Sequence, residues 1–456
     1  MKKIEKYENK KVLVMGLAKS GKAAARVLKS LNAKIVINDL TPLADNADAQ
    51  EMVTEGFEVV TGGHPLSLLD RGFDYIVKNP GIPYRKVPLL LKAQELQIPI
   101  LTEVQLAYDI CEAPFIGITA TNGKTTTTTL IYEMLKEADR SPLIAGNIGE
   151  VATLVATEAT ANQVLVTELS SFQLMGIETF RPCISLLLNI TEAHLDYHQD
   201  LVEYQQAKLN LIRHQTEADY CVYNADDEVI VRGLNQTKAN CLPFSLTQVV
   251  DGAYLANDNL YYKDELIMPV SDIMLKGDHN LQDVLGAVSV CKLYGCETTA
   301  IRQVLKRFAG VKHRLQFVDE VDGVRYYNNS KATNIIATQT SLNAFDDSII
   351  LVAGGLDRQH DLSGLIPYFS KIKAIVAFGE TKNRFKQLAD EHHVPCTIHE
   401  DLPQAMLKAS QLAVKGDIVL LSPACASWDQ YKNFELRGDH FIELVEKIKR
   451  HQLPLE

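Results

Sequence analysis

Short apolar runs alternate with amphipathic stretches along almost the whole chain. The run KVLVMG, from Lys11, is followed by a glycine loop, a stretch of helical period (KAAARVLKSL) and a second apolar run (KIVIND). That succession predicts a parallel strand–helix–strand unit, ending near residue 102. The proline-dotted stretch from Asn79 to Pro99 reads as loop and turn chemistry rather than core. A second series begins at APFIGIT and passes through QVLVTEL, CISLLLNI and DYCVYN to about Gly310. Within it, residues 241 to 275 alternate briefly and predict a small antiparallel insertion. A third series, VRYYNN, SIILVAGG, AIVAFGE, CTIHE and DIVLLSPA, is spaced by helix-length stretches such as 381 to 393 and 402 to 414. The prediction is an α/β protein with three doubly wound domains at 1–102, 103–311 and 312–456. The length of 456 residues agrees, since domains commonly run to about 100 to 200 residues.

Composition narrows the functions available. Charged residues make up 23% and hydrophobic ones 46%, an ordinary globular profile, and the formal net charge is -11. That balance argues against nucleic-acid binding and against docking on an anionic membrane, so any phosphate site has to be built locally. The eight cysteines show no C-x-x-C pair and no zinc-type Cys/His spacing. Reduced thiols in a cytoplasmic protein are expected. The first apolar run is too short for a signal sequence, and no run is long enough to span a bilayer, so no membrane insertion is expected.

Two glycine loops carry candidate chemistry. In GLAKSGKA, Gly16, Gly21 and Lys22 have phosphate-loop spacing, but Ala23 stands where a hydroxyl should reach magnesium. With Asp39 closing the next run, the loop also fits a dinucleotide fingerprint in which an acid contacts a ribose, and it serves equally well as a plain turn. The second loop, IGITATNGKTTTTTL at 116–130, ends correctly in Gly123, Lys124 and Thr125, yet its first glycine is Gly117, one position early. A strand precedes it and a helix follows. Backbone N–H groups there would cradle phosphates, Lys124 would neutralise charge and Thr125 would bind Mg²⁺. Each threonine costs several tenths of a kcal/mol of helix propensity relative to Ala, so five in succession are not there to stabilise the helix. Glu168 ends the run VLVTE and is a metal candidate. His194, Asp196 and His198 share the next loop, and taken singly each reads as a loop polar residue. Locally, Lys208 is indistinguishable from a surface lysine. In the third series the unusual residues, 329–333, 354–358 and 422–427, fall at the carboxyl ends of strands, where such sheets bind ligands.

Several motifs in fixed order then resemble the Mur ligases, which add amino acids to a cell-wall precursor peptide using ATP. They are TATNGKTT at 119–126, GNIG at 146–149, TELSSFQL at 167–174, LNITEAHLDYH at 188–198, AKLNL at 207–211, GDHN at 277–280, HR at 313–314 and NNSKATN at 328–334. Within the family, SPACASWDQYKNFELRGDHF at 422–441 is similar to the D-glutamate-adding branch. The resemblance implies a Rossmann-like UDP-sugar domain, a central P-loop ATPase-like domain and a Rossmann-like amino-acid domain. It implies ATP and Mg²⁺ as cofactors, and UDP-N-acetylmuramoyl-L-alanine and D-glutamate as the molecules joined. A monomer is expected.

Residue by residue, the resemblance places Asn122, Gly123, Lys124, Thr125, Thr126, Asn280, Arg314 and Asn329 at ATP. Thr125, Glu168, His194 and a carbamylated Lys208 are placed at metal, with Lys124, His194 and Lys208 as the catalytic set. Ser20, Asp39, Gly81 and Asn147 would contact the UDP substrate; Lys331, Thr333, Arg358, Ser427 and Phe434 would contact D-glutamate. Three departures accompany it: Asn329 where family members commonly carry Asp, Arg358 in place of Lys, and Ala120 in place of Gly. The implied reaction is attack of a carboxylate on the γ-phosphate, then displacement of phosphate from the acyl phosphate by the amine, with closure of the third domain around the ligands. The rivals are a ligase for another amino acid, including folate polyglutamylation, a nicotinamide-dependent dehydrogenase built on the first loop, and a regulatory ATPase.

Overall fold

In the computed structural model, which describes residues 1–195, 197–275 and 278–452, each apolar run becomes a strand with its carboxyl end at a loop. The first sheet contains β1 (Lys11–Met15), β2 (Lys34–Asp39), β3 (Glu58–Thr61), β4 (Tyr75–Lys78) and β5 (Ile100–Thr102), all parallel in the order β3-β2-β1-β4-β5. The second contains β6 (Phe115–Thr119), β7 (Pro142–Gly146), β8 (Val164–Glu168), β9 (Ile184–Leu187), β10 (Tyr220–Asn224), β11 (Asn240–Ser245), β12 (Ala253–Ala256), β13 (Asn259–Tyr262) and β14 (Glu265–Pro269). Its order is β14-β13-β12-β11-β10-β9-β6-β8-β7. The third contains β15 (Gln316–Val321), β16 (Val324–Asn328), β17 (Ile349–Gly354), β18 (Ile372–Phe378), β19 (Cys396–His399) and β20 (Ile418–Leu421), in the order β15-β16-β20-β17-β18-β19. The chain divides into two compact units, Met1–Phe308 and Ala309–Glu456. The first unit holds the first two sheets and the second unit holds the third.

Three local expectations change. The stretch 79–99 is not all loop: a helix runs over Pro88–Glu95 and buries Leu89, Leu90 and Ala93. Its proline occupies the first turn, where the missing N–H has no intrahelical partner to lose, so a residue that reads as a breaker is a start signal. The antiparallel strands expected at 241–275 exist, but they form no separate sheet. β11 and β12 pair in parallel, and the β12-β13-β14 meander simply extends the second sheet. In the third sheet β15 was unforeseen; it pairs antiparallel with β16 at the edge.

Within the first unit, one buried cluster runs from Val12 and Ile37 through Leu106 and Ile110 to Phe115, Phe180 and Tyr204, so the two sheets share a core. The joint is keyed by Gln105, fully buried on the helix Glu103–Ile110. Its side-chain oxygen accepts the N–H groups of Glu178, Thr179 and Phe180 at 2.8, 2.9 and 3.1 Å. In the second unit the parallel strands are buried on both faces. Leu351, Ile375 and Leu420 pack to one side, and Ile350, Val352, Val376 and Val419 to the other. That explains why their sequences are unbroken apolar runs. Among the described residues no helix is long and apolar enough to cross a membrane.

Candidate active site

β6 is fully buried and delivers the loop 120–123 to the carboxyl edge of the second sheet, where the helix Lys124–Glu137 begins. Gly123 sits at φ +83°, a left-handed conformation, and a Cβ there would lie 2.1 Å from Asp283 Oδ1, so both backbone and space require glycine. Gly117, by contrast, lies inside β6, where a Cβ would meet Leu211 Cδ1 at 2.8 Å. Its early position therefore reflects strand packing. Two members of the threonine run bond within the helix: the Thr127 and Thr129 hydroxyls donate to the carbonyls of Gly123 and Thr125 at 2.9 and 2.8 Å, whereas the buried Thr128 hydroxyl has no hydrogen-bond partner among the described residues. Asn122 is exposed, Thr126 half-buried and Thr125 buried.

Two lysines converge on this loop. Lys124 Nζ donates to the carbonyls of Ala120 and Thr121 at 2.7 and 2.9 Å, and Lys208 Nζ donates to the same Ala120 carbonyl at 2.6 Å. Lys208 comes from the helix Leu201–Leu209, is buried, and lies 4.9 Å from the centre of the Tyr204 ring. Burial, reinforced by the Lys124 charge and opposed by Glu168, pushes its pKa down to about 6. Glu168, at the end of β8, is buried; its Oε1 accepts from Asn147 Nδ2 at 2.6 Å, while its Oε2 has no protein hydrogen-bond partner. His194 is exposed at φ +55° with its ring 5.0 Å from that of Phe172. His198 is buried instead: Nε2 pairs with Ser171 Oγ at 2.9 Å, and burial lowers its pKa. Asp196 lies outside the described residues, as does Gly277 of the GDHN motif, whereas Asn280 is half-buried on the helix Asp278–Leu293. Among the described residues no group of three or more His, Cys, Asp or Glu side chains could hold a metal ion.

In the first sheet the GLAKSGKA loop resolves physically. Lys22 turns away from the loop to Asp48 and Glu51 on the neighbouring helix, at 2.5 and 2.9 Å. Asp39 Oδ2 accepts the Leu17 N–H at 2.8 Å, and its Oδ1 accepts from the Thr41 N–H and Asn46 Nδ2, each at 2.9 Å. Ser20 Oγ accepts from Asn79 Nδ2 at 3.1 Å, and Asn79 Oδ1 accepts the Gly81 N–H at 2.9 Å. Ser20, Asp39 and Gly81 thus share one rim at the ends of β1, β2 and β4.

The second unit gathers its own set. Asn329 is buried, with its oxygen accepting the Leu315 N–H at 3.1 Å and its nitrogen donating to Ser422 Oγ at 3.2 Å. Arg314 is exposed; the Lys331 Nζ lies 5.7 Å from the Phe434 ring centre; the Thr333 N–H bonds to the Lys331 carbonyl at 2.9 Å. Ser427 is buried, and the guanidinium carbon of the exposed Arg358 lies over the Trp428 ring, 4.7 Å from its centre.

Residues 118–291 match the Mur ligase middle domain, and residues 313–425 match the Mur ligase glutamate ligase domain. Two curated relatives, from Geobacillus sp. (strain WCH70) and Bacillus mycoides (strain KBAB4), bear the name UDP-N-acetylmuramoylalanine--D-glutamate ligase. They are 53% and 52% identical over 452 and 450 residues, covering 98% of this chain and 100% of each relative. The chain belongs to the Mur ligase family. Its fold is also that of solved Mur ligases. A UDP-N-acetylmuramate-alanine ligase from Thermotoga maritima aligns over 96% of this chain and 100% of its own, with TM-score 0.53 at 15% identity. A MurF ligase from the same organism, in complex with ADP, aligns over 98% and 96% with TM-score 0.51 at 15% identity.

Sequence reasoning missed several groups of this Mur ligase that the fold brings to the loops. Lys78, at the end of β4, is buried and donates to the Ile82 carbonyl at 2.9 Å and to Tyr197 Oη at 3.1 Å, joining the NPGI loop to the loop that bears His194. Burial lowers its pKa to about 7. Asp283 presses on the loop at Gly123, and burial raises its carboxyl pKa well above the usual range against the pull of Thr127 and Lys124. Arg437 is fully buried and donates to Ser330 Oγ and the Ser330 carbonyl at 3.0 and 2.9 Å and to the Cys425 carbonyl at 3.2 Å, tying two loops of the third sheet together. No spacing rule marks these residues; an ionisable residue within or beside an apolar run was the one signal available for Lys78.

Proposed function

We propose that this Mur ligase uses ATP to join D-glutamate to UDP-N-acetylmuramoyl-L-alanine. The observation that carries the reading is a phosphate loop bracketed by Glu168 and Lys208 in a chain 53% identical, along 98% of its length, to a relative bearing that name. A carboxylate is a poor acyl donor because its leaving group would be oxide. In the first step a substrate carboxylate oxygen attacks the γ-phosphorus, the bond to the β–γ bridging oxygen breaks, and ADP leaves. In the second, the amine of D-glutamate attacks the acyl carbon, phosphate departs and the nitrogen loses a proton.

The chain's part is positioning and charge. Backbone N–H groups of Asn122 to Thr126, at a helix N-terminus, receive the phosphates. Lys124 already reaches over the loop and would exchange its carbonyl contacts for phosphate oxygens, and His194 is read as its catalytic companion. Asn280, and separately Arg314 and Asn329 of the second unit, are read as nucleotide contacts. Thr125 and Glu168 fit Mg²⁺: the unpartnered, buried Oε2 of Glu168 is the kind of hard anionic donor that ion takes. When bound, Mg²⁺ would neutralise phosphate charge. Lys208 is read as carbamylated, which would turn its buried amine into an anionic oxygen donor, and burial beside the Lys124 charge favours the reactive free amine. Ser20, Asp39, Gly81 and Asn147 would hold the UDP substrate, and Lys331, Thr333, Arg358, Ser427 and Phe434 the two carboxylates and backbone of D-glutamate. A three-domain division at 102 and 311, a cytoplasmic location and a monomeric state complete the reading.

Phosphate release from ATP, measured against a panel of amino acids with and without UDP-N-acetylmuramoyl-L-alanine, tests it. Release is expected only with that acceptor and D-glutamate together, and Lys124→Ala should abolish it while circular dichroism stays unchanged. Release independent of both acceptors, or with another amino acid instead, would overturn the reading.

A further inference from the structure

The parallel pairing of β17 with β20, Ile349 with Ile418 through Val352 with Leu421, does not stop at the sheet edge. It continues through backbone bonds from Ser422 N–H to the Val352 carbonyl (3.1 Å), Gly354 N–H to the Pro423 carbonyl (2.9 Å) and Leu356 N–H to the Ala426 carbonyl (2.9 Å). The next side chains on the two loops meet: the Arg358 guanidinium carbon lies 4.7 Å from the centre of the Trp428 ring. Both backbones are anchored up to that point. Asp357 pairs with Arg384 at 2.7 Å, and the Ser427 carbonyl accepts the N–H groups of Gln430 and Tyr431 at 3.1 and 2.8 Å. Trp428, the chain's single tryptophan, is nevertheless 64% exposed.

We propose that Trp428 is a positioning residue of the amino-acid site, its indole orienting the Arg358 guanidinium to receive a substrate carboxylate. A guanidinium that lies flat on the ring has its face covered and its N–H edges free, the geometry that engages a carboxylate through two parallel bonds. The acid next to Arg358 in the chain, Asp357, is already taken by Arg384. A long exposed side chain otherwise pays rotamer entropy to reach one orientation, and a flat aromatic surface removes much of that cost before substrate arrives. The proposal rests on the reading of Arg358 as a D-glutamate contact.

The test is steady-state kinetics of the full chain with Trp428→Ala, Trp428→Phe, Arg358→Ala and the Arg358→Ala/Trp428→Ala double variant. Trp428→Ala should raise the apparent KM for D-glutamate by about three- to thirty-fold, the range of a cation–aromatic contact, with the ATP KM changing by less than about twofold. Trp428→Phe, which keeps a ring, should recover most of that loss. In the Arg358→Ala background, Trp428→Ala should add less than about twofold, because the two act as a unit. An effect of Arg358→Ala with none from Trp428→Ala overturns the stack alone, as does equal damage to the ATP and D-glutamate KM values. An Arg358→Ala variant with an unchanged D-glutamate KM overturns the assignment of Arg358, and the proposal with it.

Discussion

Lys208 looks like any other lysine in the sequence and Lys78 stands out only by ending an apolar run, yet both are buried beside backbone carbonyls, phenolic rings and hydroxyls. The consequence is a pH dependence of stability with a definite sign. Lys78 binds a proton at an ordinary pKa of 10.5 when unfolded and at about 7 when folded. Between those values the unfolded chain holds a proton that the folded chain has released, so stability rises with pH across the window and is flat below about 7. The slope from one such group is at most about 1.4 kcal/mol per pH unit. Lys78→Met should remove most of that slope in urea unfolding measured between about pH 7.5 and 9.5. An unchanged slope would mean that Lys78 stays charged in the fold.

At the scale of elements, helices are held in place by single polar groups as much as by apolar faces. Gln105 lies on a helix whose buried face is easy to read, but its three acceptor bonds to the chain at 178–180 are long-range and leave no trace in periodicity. Replacement by leucine keeps volume and strands three inward-facing N–H groups. Gln105→Leu should therefore cost the first unit about 2–4 kcal/mol, read as a lowered urea midpoint, whereas a loss below about 0.5 kcal/mol would show that other acceptors take over. The helix over Pro88–Glu95 was hidden for a related reason. Proline carries opposite meanings inside a helix and at its first turn, and which one applies depends on where the preceding strand ends.

For the whole molecule, two compact units with their own buried clusters predict unfolding in more than one step. Calorimetry of the full chain should give a van't Hoff enthalpy smaller than the calorimetric one, with at least one component shifted upward by ADP and Mg²⁺. A single transition with equal enthalpies would show that the units unfold as one. The first unit is itself built of two sheets with a continuous core. The sequence reading divides that region near 102 by its pattern of strands and loops, while packing joins what the pattern separates.

The primary structure determined the α/β class, β1 and β2 of the first sheet, most strands of the second and third sheets, and the glycine loops that follow them. Those features depend on local periodicity, on glycine at strand ends and on residues adjacent in the chain. Tertiary structure decided what no local rule encodes. It directed Lys22 onto Asp48 and Glu51 rather than a phosphate, made Gly117 a packing residue and Gly123 the turn. It brought Lys208 to the same carbonyl as Lys124, and laid Arg358 against Trp428. The physical reason is common to these cases: burial and charge pairing are properties of a side chain's surroundings, and those surroundings come from segments distant in the chain, such as Asp283 against Gly123 and Ala120 against Lys208.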